Sequence, residues 1–161
     1  MRKLLKLLKF KNLTLSSCES FTGGLFGNKL TDISGASEVF LGGIVAYSVE
    51  SKKQILGITS DLINKFTTVS NEVAIEMAIS CRKIFNSDIA ISFTGNAGPN
   101  ASDNKDVGLA FIGIVSNNFQ KVIEISIKNK SRKQFKKLAL KICKNNLINY
   151  IKSDFADKKH D

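Results

Sequence analysis

The chain has 161 residues, of which 43% are hydrophobic, and this composition suits one globular domain with a single core. Its 24 lysine and arginine residues exceed its 14 aspartate and glutamate residues, and the net charge of +10 favours anionic partners over cationic ones. Three widely spaced cysteines and one histidine argue against a secreted disulfide scaffold and against a zinc site with nitrogen and sulfur ligands.

Lysine carries almost all of the positive charge, since the only arginines are Arg2, Arg82 and Arg132. This bias has two interpretations, a genome-wide preference in amino-acid usage or a basic binding face. No apolar run approaches the ~20 residues that span a bilayer. Together with the absence of a disulfide pattern, this predicts a cytoplasmic protein without a membrane anchor.

The first twelve residues, 1–12, place leucines between lysines so that the leucines share one face of a helix. Targeting peptides and membrane-surface helices have a similar pattern of leucines and lysines. The lysines interrupt the apolar stretch that a secretory signal needs, however, and the serine and arginine content of a transit peptide is missing. We therefore predict a helix that packs on the domain.

Strand and helix patterns alternate along the rest of the chain. In order, we predict a strand at 13–17, a helix at 22–30, a turn-rich connection at 31–37, a strand at 43–48, a helix that Ser48 caps and Gly57 ends, a short helix from Ser60, a longer helix from Ser70, a strand at 88–94, strands at 108–116 and 121–128, and a long helix from Ser131. The buried positions that we predict in the last two of these helices are Val73, Met77, Ile84, Phe135, Leu138, Ile142 and Ile151.

The last two predicted strands are joined by a hairpin-like turn at 116–119, so they should be antiparallel. The other strands are separated by helices, which is typical of parallel pairing. The predicted fold is therefore α/β, a three-layer α/β/α sandwich with a mixed, mostly parallel sheet. It forms one domain over 1–161, with an N-terminal helix at 1–12 and a frayed tail at 153–161.

The segment Glu19-Ser20-Phe21-Thr22-Gly23-Gly24 places a hydroxyl where a strand would pass into a helix. The two glycines allow backbone N–H groups to approach a ligand, and a helix start can stabilise a developing negative charge. Ser20 is therefore a candidate nucleophile.

The base that would activate this serine cannot readily be a histidine, because the only one, His160, lies beside the C-terminus. Lys52 is the alternative candidate, in a segment that begins with Tyr47 and Ser48. A lysine acts as a base near neutral pH only if burial or positive neighbours lower its pKa from about 10.4. Without such an environment, Lys52 would be an ordinary solvated lysine.

A glycine-rich loop, Thr94-Gly95-Asn96-Ala97-Gly98-Pro99, follows the strand predicted at 88–94. Ligands of α/β proteins bind beyond the carboxyl ends of strands, so this loop is either a phosphate- or sugar-binding loop or an ordinary turn. It is not a Walker A loop, because no Gly-Lys-Ser/Thr follows. Arg132, at the start of the last helix, is either a phosphate ligand or a surface arginine.

These residues together resemble the CinA carboxy-terminal family, whose characterised members are nicotinamide-nucleotide amidases. The ordered series that carries the resemblance covers most of the chain and includes Glu19 to Gly24, Leu30 to Ser37, Tyr47-Ser48, Lys52, Leu56-Gly57-Ile58, Val69-Ser70, Thr94 to Pro99 and Val107-Gly108. The chain resembles the stand-alone form, which lacks the amino-terminal domain of longer CinA proteins.

The resemblance implies hydrolysis of nicotinamide mononucleotide to nicotinic acid mononucleotide and ammonia in pyridine nucleotide salvage, through a Ser–Lys acyl-enzyme and without metal or cofactor. Ser20 matches the nucleophile of the family, Lys52 its base and Tyr47 a tyrosine beside that lysine. These three are the catalytic residues that the match implies. The substrate-binding residues that the match implies are Thr22, Gly23 and Gly24 around the reacting amide, Thr94, Gly95 and Gly98 in the nucleotide loop, and Arg132 at the phosphate.

The chain departs from the family pattern at Phe21, where cysteine is usual, at Asn96, where an aliphatic residue is usual, and over 100–106, where the glycine-rich continuation and a proline are replaced. Phe21 should narrow the pocket, and the altered loop should affect ribose or phosphate affinity.

The alternative function is a non-catalytic nucleotide- or nucleic-acid-binding module linked to competence or DNA damage. Its Lys-rich segments lack the interleaved aromatic residues of base stacking, so a nucleic-acid partner is not expected. A small-molecule nucleotide substrate and a homo-oligomer, preferably a dimer, are expected.

Overall fold

The computed structural model describes residues 1–154, in which six α-helices flank one five-stranded sheet. The helices are α1 (Arg2–Phe10), α2 (Leu25–Thr31), α3 (Val49–Leu56), α4 (Ser60–Phe66), α5 (Asn71–Phe85) and α6 (Arg132–Asp154), and a 3-10 turn spans Ala36–Glu38. The strands are β1 (Leu15–Glu19), β2 (Phe40–Val45), β3 (Ile89–Gly95), β4 (Leu109–Val115) and β5 (Gln120–Ser126).

The sheet has the strand order β2-β1-β3-β4-β5. Strand β1 pairs in parallel with β2 and β3, whereas β4 pairs antiparallel with both β3 and β5. Four of the five strands therefore run in one direction and β4 runs against them. This confirms the mixed, mostly parallel sheet, and the β4–β5 hairpin is closed by a bond from the Ser116 N–H to the Phe119 carbonyl.

The two faces of the sheet carry different helices. Helices α1, α2 and α6 cover one face with a core that includes Leu4, Phe26 and Phe135, whereas α3, α4 and α5 cover the other face. Strand β3 alternates accordingly, because Ile89, Ile91 and Phe93 belong to the larger core and Ala90 belongs to the core under α5. The predicted three-layer sandwich is thus confirmed.

Helix α5 approaches the sheet closely because the residues beneath it are small. A Cβ on Gly113 would lie 2.6 Å from the Ala74 carbonyl oxygen of this helix. The Ser92 hydroxyl donates a hydrogen bond to the same carbonyl oxygen and accepts one from the Gly113 N–H at 3.2 Å. No side chain at position 113 would fit without moving the helix.

Some predicted boundaries were wrong. Helix α2 begins at Leu25 and not at residue 22, because Gly23 and Gly24 adopt left-handed backbone with φ of 63° and 86°. In α5, Val73 and Met77 are buried as predicted but Ile84 is 52% exposed. Phe85, eight residues after Met77, packs on the core in its place.

The structure describes the N-terminal helix in full and the C-terminal segment as far as Asp154. Helix α1 buries Leu4, Leu5 and Leu8 in the larger core, so it packs on the domain. Helix α6 continues through Asp154, two residues into the segment predicted to fray, and the rest of that segment lies outside the described residues, as does His160. Within residues 1–154, every helix is too short or too polar to cross a membrane.

Candidate active site

Ser20 directly follows the carboxyl end of β1. Its backbone N–H donates to the Phe93 carbonyl of the neighbouring strand at 2.9 Å, which extends the sheet pairing by one residue. The side chain is 8% exposed and faces a cavity of about 560 Å³. The sheet therefore holds this hydroxyl in one place while leaving it open to a ligand.

Lys52 reaches Ser20 from helix α3, whose start is set by a capping box. The Ser48 hydroxyl accepts from the Ser51 N–H at 3.0 Å, and the Ser51 hydroxyl accepts from the Ser48 N–H at 3.0 Å. Lys52 follows one residue later and is only 2% exposed. Its Nζ lies 3.0 Å from Ser20 Oγ, so the structure brings the predicted nucleophile and the predicted base together.

Two carbonyl groups hold the other side of the Lys52 amine. Nζ donates to the Ala46 carbonyl at 2.8 Å and contacts the Tyr47 carbonyl at 3.4 Å. A neutral amine has two N–H donors and one lone pair. If the two carbonyls take the donors, the lone pair faces Ser20, which is the arrangement that a general base requires.

Burial lowers the pKa of Lys52, because the charged ammonium loses its hydration in this position. Cys18 and Asp103 act in the opposite direction and favour the charged form. Within residues 1–154, no carboxylate forms an ion pair with Lys52 at 4.0 Å or less. The environment thus moves the amine towards the neutral state that a base needs.

We predicted that N–H groups at the helix start after Ser20 would stabilise the negative charge that develops during attack. In the structure these N–H groups bind other acceptors. Glu19 is 2% exposed, and its carboxylate accepts from the Phe26 and Gly27 N–H groups of α2 at 3.0 and 2.9 Å. The Gly23 N–H donates to the Ser20 carbonyl at 3.0 Å. These donors are therefore engaged by the protein itself.

The residues Thr22, Gly23 and Gly24 build this turn and do not line the cavity. Thr22 is fully buried, and its hydroxyl has no partner among the described residues. We predicted that these three residues contact the substrate directly, but none of them lines the cavity. The Phe21 and Thr22 backbone N–H groups donate to no backbone carbonyl in the described part of the chain.

The cavity is formed by the ends of β1, β2 and β3 together with the loop after β3. Its lining includes the predicted site residues Ser20, Tyr47, Lys52, Thr94, Gly95 and Arg132, and the positions of departure Phe21 and Asn96. Residues 100–103 of the altered segment, which we expected to affect ribose or phosphate affinity, also line the cavity. The sequence analysis assigned no role to the lining residues Val49, Thr68 and Val69. Phe21 does not fill the space, because it is 3% exposed and its ring packs against Phe93 and Phe135 in the core.

The loop after β3 is stabilised by the residues that depart from the family pattern. The Asn96 side chain accepts from the N–H and hydroxyl of Ser102 at 3.2 and 2.8 Å. Its amide donates to the carbonyls of Ser102 and Lys105 at 3.0 and 3.2 Å. Asn96 and the altered segment 100–106 therefore form one coupled unit. In the sequence, the signal for this unit is an asparagine followed by the mostly polar segment 100–106.

Three loop residues predicted to bind substrate have structural partners. The Thr94 hydroxyl donates to the Thr68 carbonyl at 2.6 Å, although Thr94 still lines the cavity. Gly95 packs so tightly that a Cβ there would lie 2.4 Å from the Ala110 Cβ. Gly98 does not line the cavity, and its carbonyl accepts from Arg132 Nη1 at 2.8 Å.

Arg132 and Tyr47 meet at the rim of the cavity. Arg132 is the first residue of α6, and its Nη2 donates to the Tyr47 hydroxyl at 2.8 Å. Tyr47 is 61% exposed, so its ring lies at the mouth of the cavity and only its backbone carbonyl contacts Lys52. The guanidinium thus joins the loop after β3 to the β2–α3 connection beside the open space.

Residues 1–154 contain no group of three or more histidine, cysteine, aspartate or glutamate side chains that could hold a metal ion. Cys18, Cys81 and Cys143 are buried as free thiols. The chemistry that the site offers is that of a hydroxyl beside a buried amine.

Comparisons with known proteins agree with the fold. The CinA C-terminal domain family matches residues 1–151. A CinA-like protein of Flavobacterium psychrophilum is 49% identical over 112 residues, which are 69% of this chain and 27% of that protein. The matched region spans only 27% to 28% of the length of that protein and of two curated relatives from Bacillus subtilis and Bacillus mycoides.

Two solved structures cover nearly the whole chain. The competence or damage-inducible protein from Enterobacter asburiae has a TM-score of 0.90 and 27% identity, with 93% of this chain and 94% of that chain covered. The competence/damage inducible protein CihA from Agrobacterium tumefaciens has a TM-score of 0.88 and 29% identity, with 92% and 91% covered.

Proposed function

The chain belongs to the CinA C-terminal domain family, and from this membership and the contact between Ser20 and Lys52 we propose that it is an amidohydrolase. Its proposed reaction converts nicotinamide mononucleotide to nicotinic acid mononucleotide and ammonia. The observation that carries the proposal is the 3.0 Å distance between Ser20 Oγ and the buried Lys52 Nζ. A hydroxyl within hydrogen-bond distance of a buried amine is the arrangement that a serine nucleophile and its base require.

Acylation begins when neutral Lys52 accepts the Ser20 hydroxyl proton. The serine oxygen attacks the carboxamide carbon and forms a tetrahedral intermediate. Lys52, now an ammonium held by the Ala46 and Tyr47 carbonyls, returns the proton to the amide nitrogen as the C–N bond breaks. Ammonia leaves, and the acyl group remains on Ser20.

The developing oxyanion needs donors that the protein does not already use. The N–H groups of Phe21 and Thr22 satisfy this condition, whereas those of Gly23, Phe26 and Gly27 are engaged. Each preorganised donor of this kind contributes roughly 3 kcal/mol in other hydrolases. We therefore assign the oxyanion site to the Phe21 N–H, because Phe21 lines the cavity and Thr22 does not.

Deacylation uses the same base. Lys52 removes a proton from water, the hydroxide adds to the acyl carbon, and the proton returns to Ser20 Oγ as nicotinic acid mononucleotide leaves. No external oxidant or metal enters these steps. The positive charge of the pyridinium ring already activates the amide, so the protein contributes position and charge stabilisation.

The cavity is large enough for a nucleotide. Its volume of about 560 Å³ falls within the range of small-molecule sites. Arg132 lies at the rim, where it can add a phosphate contact to its bonds with Gly98 and Tyr47. The reacting amide would then lie at Ser20 and the phosphate at the mouth.

Ammonia release from nicotinamide mononucleotide by the purified protein tests this proposal. Ser20→Ala should reduce the rate to less than about 1% of wild type, since loss of a nucleophile usually costs more than 100-fold. Ser17→Ala is the matched control, because Ser17 is buried on the same strand and its hydroxyl has no partner among the described residues. Comparable activity in both variants would refute the role of Ser20, and binding without hydrolysis by the wild-type protein would favour a binding module.

A further inference from the structure

The cavity that contains Ser20 has an uneven distribution of charge. Among the described residues that line it, the acidic and basic side chains are Lys52, Arg132 and Asp103. Asp103 is therefore the one acidic side chain in this lining. It belongs to the segment 100–106 that departs from the family pattern, so the family resemblance assigns it no role.

The Asp103 carboxylate is held in a defined position. Its Oδ2 accepts from the Thr68 hydroxyl at 2.5 Å and from the Val69 N–H at 3.0 Å. Thr68 and Val69 connect α4 to α5 and also line the cavity. The second oxygen, Oδ1, makes no hydrogen bond within residues 1–154 and remains available.

The neighbouring charged residues of the loop do not neutralise this carboxylate. Lys105 donates instead to the Phe66 carbonyl at 3.3 Å and to the Val69 carbonyl. Asp106 pairs with Lys128 at 3.2 Å on the surface, away from the cavity. Within residues 1–154, no ion pair of 4.0 Å or less includes Asp103.

We propose that Asp103 is a specificity-determining residue, whose carboxylate favours substrates with a cationic reacting ring. This inference rests on the proposed function, because it concerns the substrate of the same cavity. Nicotinamide mononucleotide is a zwitterion, with a positive pyridinium and a negative phosphate. The negative Asp103 carboxylate is complementary to the pyridinium, and the positive Arg132 guanidinium is complementary to the phosphate.

The physical reason is that an unpaired carboxylate in a partly enclosed cavity interacts strongly with a charge inside it. Water screens this interaction only in part, since Asp103 is half-buried and its position is fixed by two hydrogen bonds. A neutral ring of the same shape gains nothing from the carboxylate. The residue therefore discriminates by charge and not by size.

The test compares Asp103→Asn with wild type on two ligands. One is nicotinamide mononucleotide, and the other is the benzamide ribonucleotide, in which carbon replaces the ring nitrogen and the positive charge is lost. Asparagine can still accept from Thr68 and Val69, so the loop is preserved. Asp106→Asn is the matched control, because it removes the same charge from the same loop outside the cavity.

We measure kcat/KM at a pH where the rate no longer rises, because loss of Asp103 should also lower the pKa of Lys52. We measure Kd by calorimetry in a Ser20→Ala background, in which the ligand is not consumed. We expect Asp103→Asn to weaken kcat/KM and binding for the cationic ligand about 10-fold and to change those for the neutral ligand less than about 2-fold. Asp106→Asn should change neither ligand by more than about 2-fold.

Equal losses on the two ligands, or no loss on either, would overturn the inference. Hydrolysis of neither ligand by the wild-type protein would refute the proposed amidase alone, and the Kd values would then decide the role of Asp103. A wild-type protein that binds neither ligand would refute both. The binding and rate measurements thus separate the failure of one proposal from the failure of the other.

Discussion

Replacement of Lys52 by arginine keeps the positive charge but removes the base. Arginine has a pKa above 12, so at pH 8 fewer than roughly one side chain in 10⁴ is neutral. General base catalysis contributes about 10²–10⁴-fold to the rate of an enzyme. We expect kcat for Lys52→Arg to fall by that factor, equivalent to about 3–5 kcal/mol in the activation free energy.

The structure also predicts that Lys52→Arg lowers the free energy of unfolding, and this effect has to be separated from the loss of kcat. Lys52 is 2% exposed and its amine lies among three oxygens at 2.8 to 3.4 Å, so a guanidinium overfills the site. Overpacking of this kind costs about 1–3 kcal/mol in the free energy of unfolding. Lys52→Met has the opposite defect, because it fits more easily but leaves the Ala46 and Tyr47 carbonyls without their donor. Loss of kcat in both variants, with each still folded in a urea titration, assigns the effect to the base.

The matched control is Lys53→Arg, at the next residue of α3. Lys53 is on the surface, 3.9 Å from Glu50, so arginine there should leave both rate and stability within a few tenths of a kcal/mol of wild type. The assay is ammonia release from nicotinamide mononucleotide under saturating and subsaturating conditions. It gives kcat and kcat/KM for all four proteins.

The dependence of the wild-type rate on pH provides an independent readout. Because Lys52 must be neutral to act, kcat/KM should reach its maximum above the lowered pKa of Lys52 and should fall as the pH drops through that pKa. The rising limb should lie below the ordinary lysine pKa of about 10.4. An arginine variant with wild-type rate, or a flat profile between about pH 6 and 9, would refute the assignment of Lys52 as the base.

Two further substitutions test the rim and the turn. Arg132→Ala should raise KM for nicotinamide mononucleotide roughly 10- to 100-fold and KM for nicotinamide riboside much less, because the riboside lacks the phosphate. Steady-state kinetics on both substrates checks this, and equal losses would mean that Arg132 acts through its bonds to Gly98 and Tyr47. Glu19→Ala should lower the free energy of unfolding by about 3 kcal/mol, since two N–H groups of α2 lose a buried carboxylate. A urea titration that shows a change below about 1 kcal/mol would contradict the capping role of Glu19.

Much of the fold was predictable because local signals and layer architecture agree. The capping serines, Ser48 and Ser70, and the terminating Gly57 mark helix ends where the structure has them. The start of α2 was not predictable in this way. Whether Gly23 and Gly24 begin a helix or form a left-handed turn depends on Glu19, which satisfies the first helical donors from the preceding strand.

The parts of the candidate site that belong to short sequence motifs were predictable. The part of the loop after β3 whose position depends on residues distant in the chain was not. Ser20 and Lys52 belong to short motifs, and the sheet brings them within hydrogen-bond distance. Asp103 gives no such signal, because its position depends on Thr68 and Val69, more than thirty residues earlier in the chain. A polar loop residue acquires this geometry only through tertiary contacts.

The proposed nucleophile and base come from different connections of the fold than the altered loop that lines the cavity. Strands β1, β2 and β3 run in parallel, so their carboxyl ends meet at one edge of the sheet. Ser20 comes from the end of β1 and Lys52 from the helix after β2, whereas the segment 100–106 belongs to the connection between β3 and β4. Asn96 anchors that segment through Ser102 and Lys105, with no bond to either reacting side chain. Changes in this loop can therefore alter which ligand the cavity prefers while the contact between Ser20 and Lys52 is preserved.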